Sequence, residues 1–173
     1  MSADDLRARI REIPDFPKPG ILFYDITTLL KDAGAFKEAV DLMTAPFKGE
    51  KVDLVVGMES RGFIFSAPMA IELGAGFVPV RKLGKLPAET VSVEYALEYG
   101  TNTLEIHKDA IMPGQRVLVV DDLLATGGTV VGTIELLNML KAEVVGLAFL
   151  VELTFLKGRD RLSKQNVHSV IEY

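Results

Sequence analysis

The stretch Val117-Leu118-Val119-Val120-Asp121-Asp122-Leu123-Leu124-Ala125-Thr126-Gly127-Gly128-Thr129 decides the fold of this 173-residue chain. The four aliphatic residues from Val117 to Val120 are typical of a strand that is covered on both faces. Apolar residues then recur at helical spacing, which predicts a helix from Thr129 to Lys141. A buried strand followed by a short turn and a helix is the repeating unit of a parallel α/β sheet.

The turn after this strand predicts an anion site. Gly127 and Gly128 allow a positive φ and a close approach of the backbone to a ligand. Their N–H groups, together with the helix N-terminus, form a concavity that favours an anion. Thr126 and Thr129 can donate hydroxyl hydrogen bonds to the same phosphate. A Walker A loop places a lysine after its last glycine, and none follows Gly128.

The paired carboxylates Asp121 and Asp122 indicate that the ligand of the anion site is a sugar phosphate. Two anions beside a phosphate would repel it unless they bind something else. An ionised Asp only accepts hydrogen bonds, so sugar hydroxyls are the natural partners. An ordinary strand–turn–helix would explain one Asp and one Gly, but not the convergence of both pairs at one strand end.

This stretch resembles the phosphoribosyl-diphosphate (PRPP) signature of the type I phosphoribosyltransferases. The resemblance implies that the paired acids hold the ribose hydroxyls and that the Ala-Thr-Gly-Gly-Thr loop holds the 5-phosphate. The expected PRPP-binding residues are Asp121, Asp122, Ala125, Thr126, Gly127, Gly128 and Thr129. The signature does not name the nucleobase.

Composition limits the classes of function. The length fits a single domain, residues 1–173, which should bury roughly 70% of its unfolded surface. The net charge of −5 does not indicate a nucleic-acid-binding surface. No apolar run could span a bilayer, so we expect no membrane partner. The chain has no cysteine, which is compatible with the cytoplasm, the expected location. His107 and His168 are too few for a metal site, and we expect both to be structural.

The remaining patterns predict an open, mainly parallel, twisted α/β sheet flanked by helices. The expected helices are Ser2–Ile13, Ala35–Phe47, Phe63–Leu73 and Thr129–Lys141. The expected strands are Val52–Gly57, Phe77–Val80, Val117–Val120, Val144–Val151 and Val167–Ile171, and Pro14–Gly20 is expected to be a loop. Ligands of such sheets lie beyond the carboxyl ends of the strands. This rule places Met58–Gly62, Arg81–Lys85 and Asp121–Thr129 on one rim.

The loop Met58-Glu59-Ser60-Arg61-Gly62 follows a strand end on that rim. Arg61 can hold phosphate oxygens through two parallel hydrogen bonds. A surface turn with a Glu–Arg pair inside the loop is the alternative. The run Glu-Ser-Arg-Gly-Phe is similar to the adenine-specific branch of the family. That resemblance implies diphosphate binding by Glu59, Ser60 and Arg61, with a non-proline cis peptide at Glu59–Ser60.

A basic cluster and a flap come next. Arg81, Lys82 and Lys85 follow a strand end and can neutralise a diphosphate leaving group, although a solvated basic loop is the common explanation. Apolar and polar residues alternate from Val91 to Tyr99, which predicts a half-buried strand. A turn at Gly100-Thr101-Asn102 and a returning segment from Leu104 to His107 complete a flexible flap, residues 81–107. Such a flap can close and exclude water.

Glu98 and Tyr99 stand at the end of the flap. A carboxylate there can take a proton from an attacking nitrogen, but an exposed Glu on the polar face of the strand explains the residue equally well. In the adenine-specific branch a Glu-Tyr-Gly at this place supplies the acidic catalytic residue and a tyrosine near the sugar phosphates. The resemblance therefore implies catalysis by Glu98 and diphosphate binding by Tyr99.

The segment from Asp15 to Thr27 also resembles the adenine-specific branch, where it forms a hood over the base. We expect a hood over residues 1–34. Phe23 would stack on the purine, and backbone groups of Leu22 and Tyr24 would read its edge. Without the resemblance, Leu22 and Phe23 would be taken as core residues. Family members often carry Arg where this chain has Tyr24.

The resemblance spans Asp15 to Leu162 and implies a transferase that joins adenine to PRPP, giving AMP and diphosphate. It also implies Mg²⁺ carried by the substrate, without a protein cage, and a homodimer. Two alternatives stay open. One is a PRPP-sensing regulator without catalysis, and the other is a phosphoribosyltransferase for hypoxanthine or guanine.

Overall fold

The computed structural model describes residues 1–97 and 100–173. Its centre is a mainly parallel sheet of seven strands: β3 (Leu54–Met58), β4 (Gly76–Lys82), β5 (Thr90–Leu97), β6 (Gly100–His107), β7 (Arg116–Leu124), β8 (Glu143–Glu152) and β9 (Val167–Glu172). Their order across the sheet is β5-β6-β4-β3-β7-β8-β9. The strands β4, β3, β7, β8 and β9 run parallel, and the hairpin of β5 and β6 adds antiparallel to the edge at β4. The expected open parallel sheet is confirmed.

Helices cover both faces of the sheet. They are α1 (Ala3–Arg7), α2 (Thr27–Leu30), α3 (Ala33–Thr44), α4 (Gly62–Leu73) and α5 (Gly128–Met139), with 3₁₀ turns at Ala45–Phe47, Thr154–Leu156 and Gly158–Leu162. One apolar cluster joins α1, α3 and α4 to Leu118 and Val120 of β7. The other joins α5 and the flap to Val117 and Val119 of the same strand. Alternate residues of β7 therefore face opposite layers, as expected for a strand covered on both sides.

The strand β7 is longer than the sequence pattern predicted. Its expected end was Val120, but it continues to Leu124. Leu123 and Leu124 still pair with Val151 and Glu152 of β8, so the ladder carries the chain past the two carboxylates. Asp121 and Asp122 therefore stand inside the last part of a paired strand, which holds their backbones rigidly.

The prediction of a helix from Ser2 to Ile13 was wrong. The helix α1 ends at Arg7, and Arg11–Ile13 forms a strand, β1, paired antiparallel with β2 (Phe23–Asp25). A short isolated helix is marginal, and tertiary contacts override the periodic pattern. Here the ladder of β1 and β2 satisfies the backbone, and Arg11 donates through Nε and Nη2 to the Asp25 carboxylate.

The flap is a hairpin that packs on α5. Val93 is buried, Val91 and Tyr95 pack against the cluster on that side, and the intervening residues are exposed, as the alternation predicted. The expected turn at Gly100-Thr101-Asn102 was wrong, because Thr101 and Asn102 are paired with β5. Glu98 and Tyr99 lie outside the described residues.

The other elements agree with the sequence pattern within a few residues. The exception is the hood, where β2 and α2 had no periodic signal because they are too short to show one. Within residues 1–97 and 100–173, none of the helices has the length and apolar character needed to cross a membrane. The carboxyl ends of β3, β4, β7 and β8 meet at one edge of the sheet, where the candidate site lies.

Candidate active site

The loop between β7 and α5, which we call the phosphate seat, forms a concavity whose geometry suits a phosphate. Gly127 has φ +83°, which suits glycine, whereas Gly128 begins α5 with a helical backbone, so only one of the two glycines has the expected positive φ. The first N–H groups of a helix have no partner within the helix, so those of α5 are available to an anion. The residues from Asp121 to Val130, together with Arg61, line a cavity of about 190 Å³.

A second segment, from Gly158 to Leu162, supports the seat from behind. A Cβ atom at Gly158 would lie 2.2 Å from the carbonyl oxygen of Ala125, so only glycine allows this approach. Arg161 donates through Nη1 to the carbonyl oxygen of Thr126 at 3.3 Å. The sequence pattern did not single out this support. The close approach involves residues about 33 positions apart, and no local spacing records it.

The two carboxylates of β7 differ in their surroundings. Asp122 is buried, and its Oδ2 lies 2.6 Å from Arg61 Nε. Asp121 accepts a hydrogen bond from the Asp122 N–H. Burial raises the pKa of Asp121 well above its usual value, and the neighbouring charge of Asp122 raises it further. A ligand that donates hydrogen bonds to Asp121 would therefore favour its ionised form.

The loop after β3 has the cis peptide at Glu59–Ser60 that the resemblance implies. The alternative of a Glu–Arg pair inside this loop is wrong, because both residues pair elsewhere. Glu59 accepts from Arg81 Nη2 at 3.0 Å and from the Lys82 N–H at 2.9 Å. Burial alone would raise the pKa of Glu59, but these hydrogen bonds outweigh it and lower the pKa below its ordinary value. Glu59 therefore stays ionised and anchors the end of β4.

The three basic residues Arg81, Lys82 and Lys85 lie in different surroundings, and only Lys82 lines a cavity of the candidate site. Lys82 lines a cavity of about 290 Å³ together with the loop after β3 and the end of β7. Arg81 is held by Glu59 and donates to the Lys85 carbonyl oxygen at 3.4 Å, while Lys85 is exposed. The cavity is lined by Glu59, Ser60, Arg61, Lys82, Asp121, Asp122 and Thr129. Arg81 and Lys85 do not line it, and Tyr99 lies outside the described residues.

An apolar cavity of about 150 Å³ lies between the hood and the sheet. Phe23 forms part of its wall, and the Arg61 guanidinium carbon lies 5.7 Å from the centre of the Phe23 ring. Leu22 and Tyr24 also line it, so the three expected base-binding residues meet at one cavity. The other lining residues are Ile21, Ile26, Arg61, Asp122, Leu123, Val151 and Leu153.

The sequence pattern missed the wall that β8 contributes. Val151 and Leu153 stand at the carboxyl end of this strand, on the same edge as the other loops. The rule that ligands lie beyond the strand ends could have found them, because a strand from Val144 to Val151 was expected. The side chains of Val151 and Leu153 are apolar, so they carry none of the polar chemistry that marks the other strand ends on this rim.

Arg61 and Asp122 line all three cavities. Their ion pair thus stands where an apolar site, a phosphate seat and a cavity with Lys82 meet. An ionised carboxylate offers about four acceptor positions, so Asp122 can keep Arg61 and still accept from a sugar hydroxyl. The arrangement suits one ligand set with a planar apolar part, a sugar phosphate and a further anionic group.

The two histidines lie away from this junction. His168 Nε2 is 3.1 Å from the Leu42 carbonyl oxygen, and His107 Nε2 accepts from the Ala88 N–H at 3.4 Å. In the part of the chain that the structure describes, no three His, Cys, Asp or Glu side chains converge as a metal site would require. Hard oxygen ligands near the anion sites come from Asp121 and Asp122.

Comparison with known families gives a match over most of the chain. The model of the phosphoribosyl transferase domain matches residues 27–171. The adenine phosphoribosyltransferase of Acidobacterium capsulatum is 57% identical over 173 residues, which cover 100% of this chain and 96% of that protein. That of a Roseiflexus species is 59% identical over 164 residues, covering 95% of each chain.

Solved structures give the same result. The adenine phosphoribosyltransferase of Thermoanaerobacter pseudethanolicus superposes with a TM-score of 0.96 at 54% identity, covering 99% of this chain and 100% of that one. The enzyme of Saccharomyces cerevisiae, solved with an imino-altritol bisphosphate and adenine, has a TM-score of 0.92 at 41% identity, and 97% of each chain is covered. The fold and the order of its parts are therefore those of these proteins.

Proposed function

The chain belongs to the adenine phosphoribosyltransferases of the phosphoribosyltransferase family, and we propose that it transfers the 5-phosphoribosyl group of PRPP to adenine. The products are AMP and diphosphate. The bond from C1 of the ribose to the diphosphate oxygen breaks, and the bond from adenine N9 to C1 forms. This is the chemistry of a pentosyltransferase in purine salvage.

One observation carries the proposal: three cavities of different chemistry share the Arg61–Asp122 pair. An apolar cavity beside Phe23 suits a purine, and the loop at Thr126–Thr129 suits the 5-phosphate. The cavity with Lys82 suits the diphosphate. A nucleophile, a sugar and a leaving group are thus held next to one another, and such positioning can supply much of the rate acceleration.

We assign the roles as follows. Asp121 and Asp122 accept hydrogen bonds from the ribose hydroxyls, and the Ala125–Thr129 loop holds the 5-phosphate. Arg61 and Lys82 stabilise the negative charge that develops on the departing diphosphate. Arg81 and Lys85 join them when the flap closes, and Tyr99 contacts the diphosphate.

The proton on N9 of adenine needs an acceptor as the new bond forms. We assign this role to Glu98 as a general base. The backbone of Leu22 and Tyr24 reads the purine edge while Phe23 stacks on its face. Base–aromatic stacking is typically worth about 1–3 kcal/mol.

The residues present fit Mg²⁺ that is carried by the substrate. Asp121 and Asp122 offer hard oxygen ligands beside the phosphate sites, and Mg²⁺ usually keeps waters and binds substrate phosphates through one or two carboxylates. When bound, the ion adds charge neutralisation at the diphosphate. The protein groups position the ribose and the leaving group around it.

We further propose that residues 1–173 act as one domain, with 1–34 as a hood and 81–107 as a flap that closes over the substrates. A homodimer in the cytoplasm completes the proposal. The exposed side chains of Ile71 and Phe77, on α4 and β4, support a subunit contact. Analytical ultracentrifugation checks the dimer, and fractionation of cells checks the location.

The function is tested by incubating the protein with PRPP, Mg²⁺ and one free purine at a time. We expect AMP from adenine and little nucleotide from hypoxanthine or guanine. Turnover of a 6-oxopurine would overturn the assignment of the base cavity. Binding of PRPP without turnover of any purine would make the chain a PRPP-sensing regulator.

The role of Glu98 is tested by Glu98→Gln, which keeps the size of the side chain and removes its basicity. We expect the turnover number to fall roughly 10²- to 10⁴-fold while the Kd for PRPP stays nearly unchanged. The matched control is Glu94→Gln, which changes an exposed carboxylate of β5. Turnover that is equal in the two variants would reject Glu98 as the general base.

A further inference from the structure

Three side chains, Arg7, Tyr24 and Tyr173, stack on one another behind the hood, and one of them, Tyr24, also lines the apolar cavity. The rings of Tyr24 and Tyr173 have centroids 4.0 Å apart with an interplanar angle of 33°. The guanidinium carbon of Arg7 lies 4.3 Å from the centre of the Tyr173 ring. The stack thus joins α1, β2 and the residue that follows β9.

Tyr173 is fixed to the back wall of the base cavity by main-chain hydrogen bonds. Its N–H donates to the Glu152 carbonyl oxygen at 2.9 Å, and its own carbonyl oxygen accepts from Thr154 N–H at 3.0 Å. These two partners flank Leu153, which lines the cavity and is itself bonded to Leu124 of β7. A displacement of Tyr173 is therefore passed directly to the wall at Leu153.

Tyr24 belongs to the opposite wall. It is the neighbour of Phe23 in β2, and both residues line the base cavity. The described ladder holds β2 to β1 alone, so the hood has few main-chain ties to the large sheet. The ring contact between Tyr24 and Tyr173 is a side-chain link between the two walls.

We propose that the Tyr24–Tyr173 stack, supported by Arg7, sets the spacing between Phe23 and Leu153 and thereby positions the purine. The inference deepens the proposed function and rests on it. The two tyrosines are positioning residues, because their rings act through the walls that touch the base.

The test compares Tyr24→Leu and Tyr173→Leu with the conservative variants Tyr24→Phe and Tyr173→Phe. We expect each leucine variant to raise the KM for adenine roughly 5- to 10-fold, because an aromatic pair is lost. The phenylalanine variants keep the ring contact and should stay within about twofold of the wild type. The KM for PRPP should change little in all four, because Arg7, Tyr24 and Tyr173 line neither the phosphate seat nor the cavity with Lys82.

The double variant Tyr24→Leu/Tyr173→Leu gives a second readout. If the two residues act through one stack, its KM for adenine should match that of the single leucine variants and not the product of their effects. An unchanged KM for adenine in the leucine variants would overturn the proposal, as would equal losses for adenine and PRPP. The assay of the wild type distinguishes failure of the proposed function from failure of the proposed role of the stack. Absence of AMP formation by the wild type would contradict the function, whereas AMP formation with an unchanged KM for adenine in the leucine variants would contradict only the role of the stack.

Discussion

The phosphate seat and the base cavity lie side by side but are built in opposite ways. The seat is built mainly from one continuous segment, Asp121 to Thr129, and main-chain N–H groups at the start of α5 are available there to an anion. The base cavity is assembled from side chains of four separate segments, Ile21–Ile26, Arg61, Asp122–Leu123 and Val151–Leu153. Arg61, Asp122 and Leu123 line both.

This difference explains what each part can tolerate. A seat made of main chain depends on backbone conformation and on the segments that pack behind it, so most side-chain changes leave it intact. A cavity made of side chains depends on each wall and on the distance between walls. Changes that move the backbone should therefore damage PRPP binding, and changes of side chain should damage recognition of the base.

Among the changes that separate these two regions, the largest effect is expected from Gly158→Ala. The added Cβ would stand 2.2 Å from the Ala125 carbonyl oxygen, so backbone must move against backbone, and the seat lies directly beyond it. Overpacking of this kind typically costs about 1–3 kcal/mol, which corresponds to roughly a 100-fold loss at its upper end. We expect a loss of that size in kcat/KM for PRPP, measured by steady-state kinetics.

The matched control is Gly49→Ala. A Cβ at Gly49 meets no atom within 4 Å, so this variant should keep wild-type kinetics. If Gly158→Ala raised the KM for adenine and left that for PRPP unchanged, the support of the seat by this segment would be refuted.

A smaller effect is expected from Phe23→Leu, which tests the other region. Leucine keeps the wall apolar but removes the aromatic ring. The stacking free energy between base and ring, typically about 1–3 kcal/mol, is therefore lost in part, because leucine still contacts the purine. We expect the KM for adenine to rise roughly 10-fold with the KM for PRPP unchanged. Phe23→Tyr retains a ring and should behave like the wild type. An equal rise of both KM values would show that the two regions are not separable.

The same contrast explains how far the sequence predicts the fold. The strands β3, β7 and β8 have apolar runs, and the helices α4 and α5 have apolar residues at helical spacing after short turns, so local patterns were sufficient for them. The N-terminal segment was predicted wrongly as one helix. Its apolar positions fit helical spacing, but pairing of Arg11–Ile13 with Phe23–Asp25 is a contact between distant residues and leaves no periodic signal.

In the candidate site, too, the sequence predicts features that lie in one short segment and does not predict contacts between distant segments. Asp121, Asp122 and the loop to Thr129 were recognised because their chemistry is concentrated in nine residues. The Arg61–Asp122 ion pair, the support by Gly158 and the wall at Leu153 were not, since each depends on contacts between segments far apart in the chain. Family resemblance supplied Leu22, Phe23 and Tyr24, which the residues alone would have placed in a core.

Acid should destabilise the hood, because it protonates the Asp25 carboxylate. Its carboxylate accepts hydrogen bonds from the Thr27 hydroxyl, which has the largest influence, and from the Arg11 guanidinium. These bonds lower the pKa of Asp25 from 3.8 to about 2. Because the folded-state pKa is depressed, the stabilisation is present above pH 4 and is lost as the pH falls towards 2. Allowing for solvent screening, it amounts to about 1–2 kcal/mol.

Urea unfolding at several pH values measures this contribution. Asp25→Asn should be less stable than the wild type at pH 6 by that amount, and the difference should shrink as the pH approaches 2. Asp160→Asn, which changes an exposed carboxylate, should show no such trend. A difference between wild type and Asp25→Asn that stayed constant down to pH 2 would show that the carboxylate charge does not stabilise the hood.

The smallest effect is expected from Asp121→Asn and concerns the stability of the folded protein, which the buried charge of Asp121 lowers. Burial and the charge of Asp122 raise the pKa of Asp121, so its ionised form is unfavourable in the folded, ligand-free protein. A raised pKa means that this cost is absent at low pH and grows as the pH rises through the folded-state value. Asp121→Asn removes the charge and keeps an oxygen that can accept from the Asp122 N–H.

We therefore expect Asp121→Asn to raise Tm at pH 8 by roughly 2–4 °C, the shift that about 1 kcal/mol produces in a chain of this size. The gain should diminish at pH 5, and affinity for PRPP should fall because the ribose hydroxyls lose an acceptor charge. Thermal scans at both pH values, with PRPP titrated separately, measure the two effects. A variant that lost stability at pH 8 would mean that the Asp121 charge is already stabilised by its surroundings, and the seat would then carry no cost that substrate binding has to offset.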